Sequence, residues 1–221
     1  MLKSRLDSKD NIFDEQSTAE KYKIYKEINH HILEDECPSN YLNDLAHRVV
    51  FQHAPFSMLK KLKETVQSPV HHPEGNVWNH TMLVVDEAAR IRDKSKNARI
   101  FMWAALLHDI GKPDTTKLRK GKITAYDHDI AGAGLADEFL RYFTDDEEFI
   151  KNVVNLIRWH MNILYVLKDL PYSRTDEMRK QVDLHELALL GLCDRVGRLN
   201  ADRRKEEDNI ELFLKKCRKK N

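Results

Sequence analysis

The sequence predicts an all-α protein, and three observations support this. Gly and Pro are scarce, with 7 and 6 copies in 221 residues, so few tight turns and hairpins are expected. Leu, Lys, Glu, Asp and Ala are plentiful, a composition that favours helices. Apolar residues recur at helical spacing along most of the chain. With 41% hydrophobic and 33% charged residues, the chain has the ordinary makeup of a globular protein with a real core.

Net charge and cysteine content give no support for an obligatory nucleic-acid or membrane partner or for a disulfide-rich protein. The formal net charge is +1, so no global electrostatic signal points to nucleic acid or a membrane as an obligatory partner. Cys37, Cys193 and Cys217 are odd in number and lack metal-type spacing, which indicates reduced thiols. The start, MLKSRLDSKD, has no apolar core of a signal peptide, and no stretch approaches membrane-spanning length. A cytoplasmic location without a membrane partner is the default expectation, and the oligomeric state is left open.

The first third of the chain predicts scaffold helices. Residues 1–18 are polar and weakly patterned, which is typical of a flexible arm or a loosely docked helix. Residues 20–33 and 41–67 carry apolar residues at helical spacing. The breaker-rich segment 68–76 predicts a loop that leads to a new helix, which starts near Val77 and carries His80 beside its apolar stripe.

The middle of the chain predicts a central buried helix. Residues 99–107, RIFMWAALL, are apolar on nearly all sides. That helix is expected to end at His108-Asp109, with Gly111 as a left-handed C-cap. Polar residues 117–122 predict a flexible loop, and helical spacing resumes over 127–143, with His128 at its start.

The last third predicts two strong helices and an exposed tail. Residues 144–147 read as a capping box for a helix whose inner face continues to His160. Residues 164–179 are ambiguous, with a break forced by Pro171. A helix over 183–199 places Asp194 on its inner face, and the charged tail 202–221 is expected to be an exposed, fraying helix.

Four predicted helices thus each bring ionisable groups to an otherwise apolar face: His80, the pair His108-Asp109, His160 and Asp194. Burying such groups is costly unless they are paired or coordinate a cation. Imidazole and carboxylate ligands suit Mn, Fe, Co, Ni or Zn, and the absence of nearby cysteines argues against a closed structural zinc site. A single histidine such as His80 or His160 is more often a hydrogen-bonded core residue than a metal ligand. The prediction of a metal site therefore depends on all of these residues together.

Together with their neighbours, these residues resemble the HD superfamily of metal-dependent phosphohydrolases. The runs HPEGNVWNHTMLVV, HDIGKPDTT, YDHDIAGAG and LCDRVGR are similar to the HD domain of bacterial CCA-adding enzymes. The resemblance implies a helical bundle around a mono- or binuclear metal site in a core over 69–200. An N-terminal helical extension (1–68) and a charged C-terminal helix or tail (201–221) would flank it. Residues 1–68 contain no counterpart of a nucleotidyltransferase head, so a free-standing hydrolase is expected.

The same resemblance implies roles for individual residues. The implied ligands of a first metal are His80, His108, Asp109 and Asp194. His128 and His160 match the additional histidines of two-metal members, in which the carboxylate of the HD pair bridges the ions. The alternatives are a helix-start residue or substrate contact for His128, and core packing beside Trp159 for His160. The expected cofactor is therefore a divalent transition metal (Mn, Ni, Fe, Co or Zn, with Mg also compatible), as two ions.

The implied chemistry is attack of metal-activated water on a phosphoester. Asp109 would orient the nucleophile and Lys112 would contact a phosphate oxygen; the alternative for Lys112 is a cation at a helix end. Thr115 would either hydrogen-bond the phosphate or cap its loop.

The substrate implied by the resemblance is a phosphomonoester or phosphodiester of a nucleotide, or an RNA end such as a 2′,3′-cyclic phosphate. The basic stretches 117–122 and 215–220 could approach nucleic acid, but charge runs are usually solvated, and no aromatic residues interleave with them. Two alternatives stay open. One is a non-catalytic HD-type module that senses a nucleotide or metal, and the other is a helical interaction protein with an accidental match, which predicts no bound metal.

Overall fold

Helices make up nearly all of the regular structure in the computed structural model, which describes the backbone of residues 3–218 and the side chains of residues 18–218. The helices are α1 (Lys3–Glu34), α2 (Ser39–Leu45), α3 (Ser57–Glu64), α4 (Val77–Ile91), α5 (Ala98–Leu107), α6 (Lys112–Thr115), α7 (His128–Arg141), α8 (Glu147–Trp159), α9 (Asn162–Leu167), α10 (Thr175–Gln181), α11 (Leu184–Val196) and α12 (Arg203–Arg218). Short 3-10 helices occupy Val49–Gln52 and Arg92–Lys94. The predicted all-α class is confirmed.

Helix α5 lies at the centre of the fold, as its apolar sequence predicts. The side chain of Asn97 caps its first turn by accepting a hydrogen bond from the Ile100 amide. Every residue from Phe101 to Leu107 is buried, and α1, α4, α8 and α11 pack around it. A helix enclosed on all sides holds the residues at its end in a fixed position.

Helix α4 begins at the predicted residue, because Asn76 accepts a hydrogen bond from the Asn79 amide and so caps the first turn. Its inner face carries Val77, Val84 and Val85, all fully buried. The scaffold segment 41–67 before it is divided into α2, the 3-10 helix Val49–Gln52 and α3.

Helices α7 and α8 pack closely against each other, and a close backbone contact ties α7 to α6. The predicted left-handed C-cap at Gly111 is wrong, because its φ is −82°. Glycine is needed here for space: a Cβ at Gly111 would lie 2.2 Å from the His128 carbonyl oxygen and 2.5 Å from the Gly132 nitrogen. The predicted capping box of α8 is replaced by a single cap, in which Asp146 accepts from the Phe149 amide.

The predicted flexible loop over 117–122 is also wrong. Strands β1 (Thr116–Arg119) and β2 (Lys122–Ala125) form an antiparallel hairpin, with Thr116 opposite Ala125. Lys120 and Gly121 form its turn with φ of 50° and 74°, the left-handed region in which glycine is favoured. Local β pairing explains why the helical period is interrupted here.

Helix α12 is less exposed than its charged sequence predicts. Ile210, Phe213 and Cys217 are buried where α12 packs against α9 and α11. Residues 219–221, of which 219 and 220 end the second basic stretch, lie outside the described residues, as do the side chains of residues 1–17. Among the described helices, none has both the length and the apolarity that a bilayer crossing requires. The division into 1–68, 69–200 and 201–221 stays a prediction.

Candidate metal centre

Five helices bring the six predicted ligand residues to one place, and most of these residues lie at helix ends. His80 lies on α4, and Asp194 lies on α11. The other four occupy ends or flanks: His108 is the C-cap of α5 and Asp109 follows it, His128 opens α7, and His160 is the C-cap of α8. The four histidines and Asp109 are all at least 95% buried.

Three of the histidines are oriented by the same local contact. The Nδ1 atoms of His108, His128 and His160 lie 2.9, 2.7 and 2.6 Å from the carbonyl oxygen three residues earlier. A carbonyl only accepts hydrogen bonds, so Nδ1 carries the proton in each neutral ring. The Nε2 lone pair of each histidine is therefore left for the interior of the site, as in metal-ligating histidines.

His80 is oriented in the same sense by a carboxylate. Its Nδ1 lies 2.9 Å from Glu74 Oε1, which is also 2.8 Å from His72 Nδ1. Burial would raise the pKa of Glu74, but its interactions with His80, with its own backbone and with His72 outweigh burial and hold that pKa at about 2. Glu74 is thus ionised at neutral pH, and a carboxylate behind the ring fixes the orientation of His80, as in metal-ligating histidines.

The first half of the centre consists of His80, His108, Asp194 and one oxygen of Asp109. His80 Nε2 lies 3.1 Å from Asp194 Oδ1 and 3.9 Å from Asp109 Oδ2. His108 Nε2 lies 3.2 Å from Asp109 Oδ2 and has no hydrogen-bond partner among the described side chains. Ligand atoms of His80, His108 and Asp109 all fall within 4.8 Å of one another, close enough to surround one ion.

The second half consists of His128, His160 and the other oxygen of Asp109. Asp109 Oδ1 lies 3.4 Å from His128 Nε2 and 4.0 Å from His160 Nε2. The two Nε2 atoms are 3.1 Å apart. Burial lowers the pKa of His128 to about 4 and also lowers the pKa of His160, so both rings are neutral at pH 7. Two lone pairs then face each other, an arrangement that a shared cation resolves.

Asp109 is the only one of these residues that faces both halves, with one carboxylate oxygen on each side. Burial would raise its pKa, but its interactions with His108 and Lys112 hold that pKa well below its usual range. The pKa of Asp194 is also held well below its usual range, because the charge of Arg198 and the contact with His80 outweigh burial. Two ionised carboxylates and four imidazole nitrogens in a buried place form a donor set that fits divalent transition metals.

A cavity of about 340 Å³ gives solvent access to the centre. Asp109, His128, His160 and Asp194 line it. Cationic groups also lie in its wall. Lys112 Nζ is 2.6 Å from Asp109 Oδ2, and an Arg198 guanidinium nitrogen is 3.1 Å from Asp194 Oδ1. Lys112 is buried, which argues against its alternative as a surface cation at a helix end.

Thr115 is placed less directly than the other predicted residues. Its hydroxyl donates to the Gly111 carbonyl oxygen at 2.9 Å, and the cavity wall contains the neighbouring Thr116 instead. This contact matches the alternative in which Thr115 caps its loop.

Four residues of the site carry no role in the sequence-based prediction: Gln67, His72, Glu74 and Arg198. Gln67 accepts from Lys112 Nζ at 2.6 Å, while its amide nitrogen is buried without a partner among the described residues. His72, Glu74 and Arg198 lie within the runs that carry the family resemblance, at HPEGN and at GR, so a motif signal was present for these three. Gln67 had none.

The comparison with protein families agrees with this geometry. The family model described as HD domain matches residues 77–199, more than half of the chain, and the chain therefore belongs to the HD domain family. The match contains all six proposed ligand residues. HD domains bind divalent metals, and the family is one of metal-dependent phosphohydrolases.

Several curated proteins are similar to part of this chain. A Multifunctional CCA protein from Methylococcus capsulatus is 27% identical over 166 residues, covering 73% of this chain and 32% of that protein. One from Actinobacillus pleuropneumoniae is 34% identical over 99 residues, covering 42% and 23%. A CC-adding tRNA nucleotidyltransferase from Thermus thermophilus is 29% identical over 140 residues, covering 62% and 31%. The aligned part of the chain spans about a third or less of each relative.

Proposed function

We propose that the chain is a phosphohydrolase that holds two divalent metal ions and cleaves a phosphoester of a nucleotide or an RNA end. One observation carries the proposal: four Nε2 lone pairs and two carboxylates converge on a buried centre that opens to a cation-lined cavity. His80, His108, Asp109 and Asp194 would hold the first ion. Asp109, His128 and His160 would hold the second.

The chain's own residues supply positioning and charge. A divalent ion, when bound, lowers the pKa of water and neutralises phosphoryl oxygens. Asp109 has one carboxylate oxygen in each half, so it orients the nucleophile and fixes the distance between the two halves. Lys112 and Arg198 present cationic groups to the cavity, so they compensate the negative charge of an entering phosphate. The unpartnered amide nitrogen of Gln67 offers a further hydrogen-bond donor.

The nucleotide or RNA-end substrate is supported by the relatives and by the size of the site. The name of the Thermus thermophilus relative includes tRNA. A cavity of about 340 Å³ lies within the size range of small-molecule pockets. A 2′,3′-cyclic phosphate or a 2′-phosphate at an RNA end is the specific candidate.

The experiment that tests this function combines metal analysis with hydrolysis assays. The purified protein would be analysed for metals by mass spectrometry. It would then be assayed with p-nitrophenyl phosphate, bis(p-nitrophenyl) phosphate and a 2′,3′-cyclic nucleotide under added Mn²⁺, Ni²⁺ or Mg²⁺. We expect about two ions per chain and metal-dependent hydrolysis of at least one ester.

The other outcomes separate the alternatives. Bound metal without turnover on any of the three esters would favour the non-catalytic sensing module. Absence of any bound metal after incubation with each ion would contradict the proposal altogether and favour a helical interaction protein.

A further inference from the structure

An open groove of about 660 Å³ lies beside the metal cavity, between the start of α7, the end of α8, helix α9 and the turn before α10. The two share a stretch of wall that consists of Ala125, Tyr126, Met161, Leu164 and Lys168. A ligand whose phosphate reaches the metal centre can therefore continue into the groove. The groove is the larger of the two spaces, so a simple phosphate ester would leave most of it empty.

Tyrosine rings dominate the wall of this groove. Tyr126 and Tyr172 are 63% and 56% exposed, so much of each ring is open to a ligand. Tyr165 packs edge-on against Tyr172, with ring centroids 4.8 Å apart. The Arg119 guanidinium lies 4.7 Å from the ring centroid of Tyr126. Both rings thus contact neighbours, and their remaining exposed surface allows a planar group to stack.

The charges of the groove are mostly neutralised within the protein. Arg158 pairs with Asp129 at 2.8 Å, and Arg174 pairs with Glu177. Lys168 has no ion-pair partner within residues 18–218, and it lies where the groove meets the metal cavity. Among the described residues, a mostly neutral aromatic space with the unpaired Lys168 at its inner end matches a nucleobase joined to a phosphate.

Asp127, which lies in the groove wall, fits the same ligand. It has no ion-pair partner in the described part of the chain, and a carboxylate accepts hydrogen bonds from the exocyclic amino group of a base. An extended anionic polymer or an acidic peptide would instead meet this carboxylate unfavourably.

We propose that this groove, which we call the tyrosine groove, binds the nucleobase of the substrate between Tyr126 and Tyr172, with Lys168 facing the attached phosphate. The proposal rests on the proposed function, since it assigns the base of the same substrate. It makes nucleotides the preferred ligands over phosphate esters without a base.

Calorimetric titration of the metal-loaded protein with adenosine 5′-monophosphate and with ribose 5-phosphate tests this directly, with ligand integrity checked by chromatography afterwards. The two ligands share one phosphate ester and differ by the base. Stacking on aromatic side chains leads us to expect at least about tenfold tighter binding of the nucleotide.

Variants of groove residues test which side chains cause the difference in affinity between the two ligands. Tyr172→Ala should remove most of the preference for the nucleotide, and Tyr172→Phe, which keeps the ring, should retain it. Lys168→Ala should weaken both ligands alike and reduce the salt dependence of binding. Lys151→Ala is the matched control, because Lys151 is exposed on α8 and lines neither space.

The outcomes separate this proposal from the catalytic one. Equal affinity for the two ligands, or a preference that survives in Tyr172→Ala, would overturn the tyrosine groove even if wild-type protein hydrolyses p-nitrophenyl esters. A nucleotide preference that Tyr172→Ala abolishes would support the groove even if no ester is hydrolysed. The missing hydrolysis would then count against the proposed catalytic function only. Melting curves confirm that each variant is folded.

Discussion

The two halves of the metal centre share Asp109 but differ in what surrounds it. The first half adds a second carboxylate, Asp194, and its His80 is backed by the ionised Glu74. In the second half, His128 and His160 are backed only by backbone carbonyls, and none of the carboxylates in residues 18–218 other than Asp109 lies within 4.0 Å of their Nε2 atoms. The first half therefore has more carboxylate oxygens available as ligands, although Lys112 and Arg198 also contact its two carboxylates.

This difference indicates two ion sites of unequal strength. Carboxylates add Coulombic attraction for a divalent cation that neutral imidazole lacks, so the first half should bind its ion more tightly. Protons compete little in the second half, because the pKa of His128 is lowered to about 4. The second ion should thus be weakly held yet available at neutral pH. Three variants test this comparison, and a fourth tests the role of Thr115.

Asp109→Ala should have the largest effect, because this side chain serves both halves. We expect metal content to fall from about two ions to none, and kcat/KM for a phosphoester to fall at least about a thousandfold, since metal ions supply several kcal/mol of transition-state stabilisation. Mass spectrometry of bound metal and initial rates measure both effects. Asp114→Ala is the control, since Asp114 is exposed on α6. Full activity of Asp109→Ala would end the two-metal interpretation.

His160→Ala should separate the two halves. We expect it to lose one ion of the two and to retain the more tightly bound one, with a marked loss of activity. Metal titration followed by mass spectrometry gives the stoichiometry. An unchanged stoichiometry would exclude His160 as a ligand and leave its alternative, core packing beside Trp159.

Glu74→Gln should weaken the first half without removing a ligand. The substitution replaces the carboxylate behind His80 by a neutral amide, and loss of such a partner costs about 10–100-fold in metal affinity. Competition with a metal indicator measures the dissociation constants of both ions. Glu64→Gln, on the exposed end of α3, is the control. If the weaker ion were the one affected, the assignment of Glu74 to the first half would be wrong.

Thr115→Val should have the smallest effect. Its hydroxyl donates to the Gly111 carbonyl, so we expect a loss of about 1 kcal/mol in the free energy of unfolding and less than about twofold in kcat/KM. Denaturant unfolding and steady-state kinetics provide the two numbers. A tenfold or larger loss of kcat/KM at unchanged stability would instead favour direct contact with phosphate.

Elements with a strong local signal were predicted well. The start of α4 at Val77 and the burial of α5 follow from residues near in sequence, a cap and a continuous apolar run. The left-handed C-cap predicted at Gly111 was wrong because the role of this residue depends on contacts distant in sequence. A glycine two residues before a proline is typical of a helix end, yet the role of Gly111 depends on Gly132 and His128, which approach it only in the folded chain.

The hairpin and α12 also depend on contacts that the local sequence does not show. A sequence of lysines and arginines around Gly121 does not distinguish a solvated loop from a short pair of strands, because both expose charge. The charged surface of α12 conceals a narrow stripe, Ile210, Phe213 and Cys217, which is buried only because α9 and α11 lie beneath it.

The sequence by itself determined the all-α class, the family resemblance and the identity of the six proposed ligand residues, because helical periodicity and ordered motifs are local properties of the chain. The family resemblance also implied how they divide into two sets around Asp109. Only the tertiary structure decided which ring nitrogens face the interior, and that Glu74 and Arg198 contact His80 and Asp194. The arrangement of the centre depends on distances between side chains up to 114 positions apart in the sequence, such as His80 and Asp194. Packing of helices against α5 sets these distances, and no local pattern encodes them.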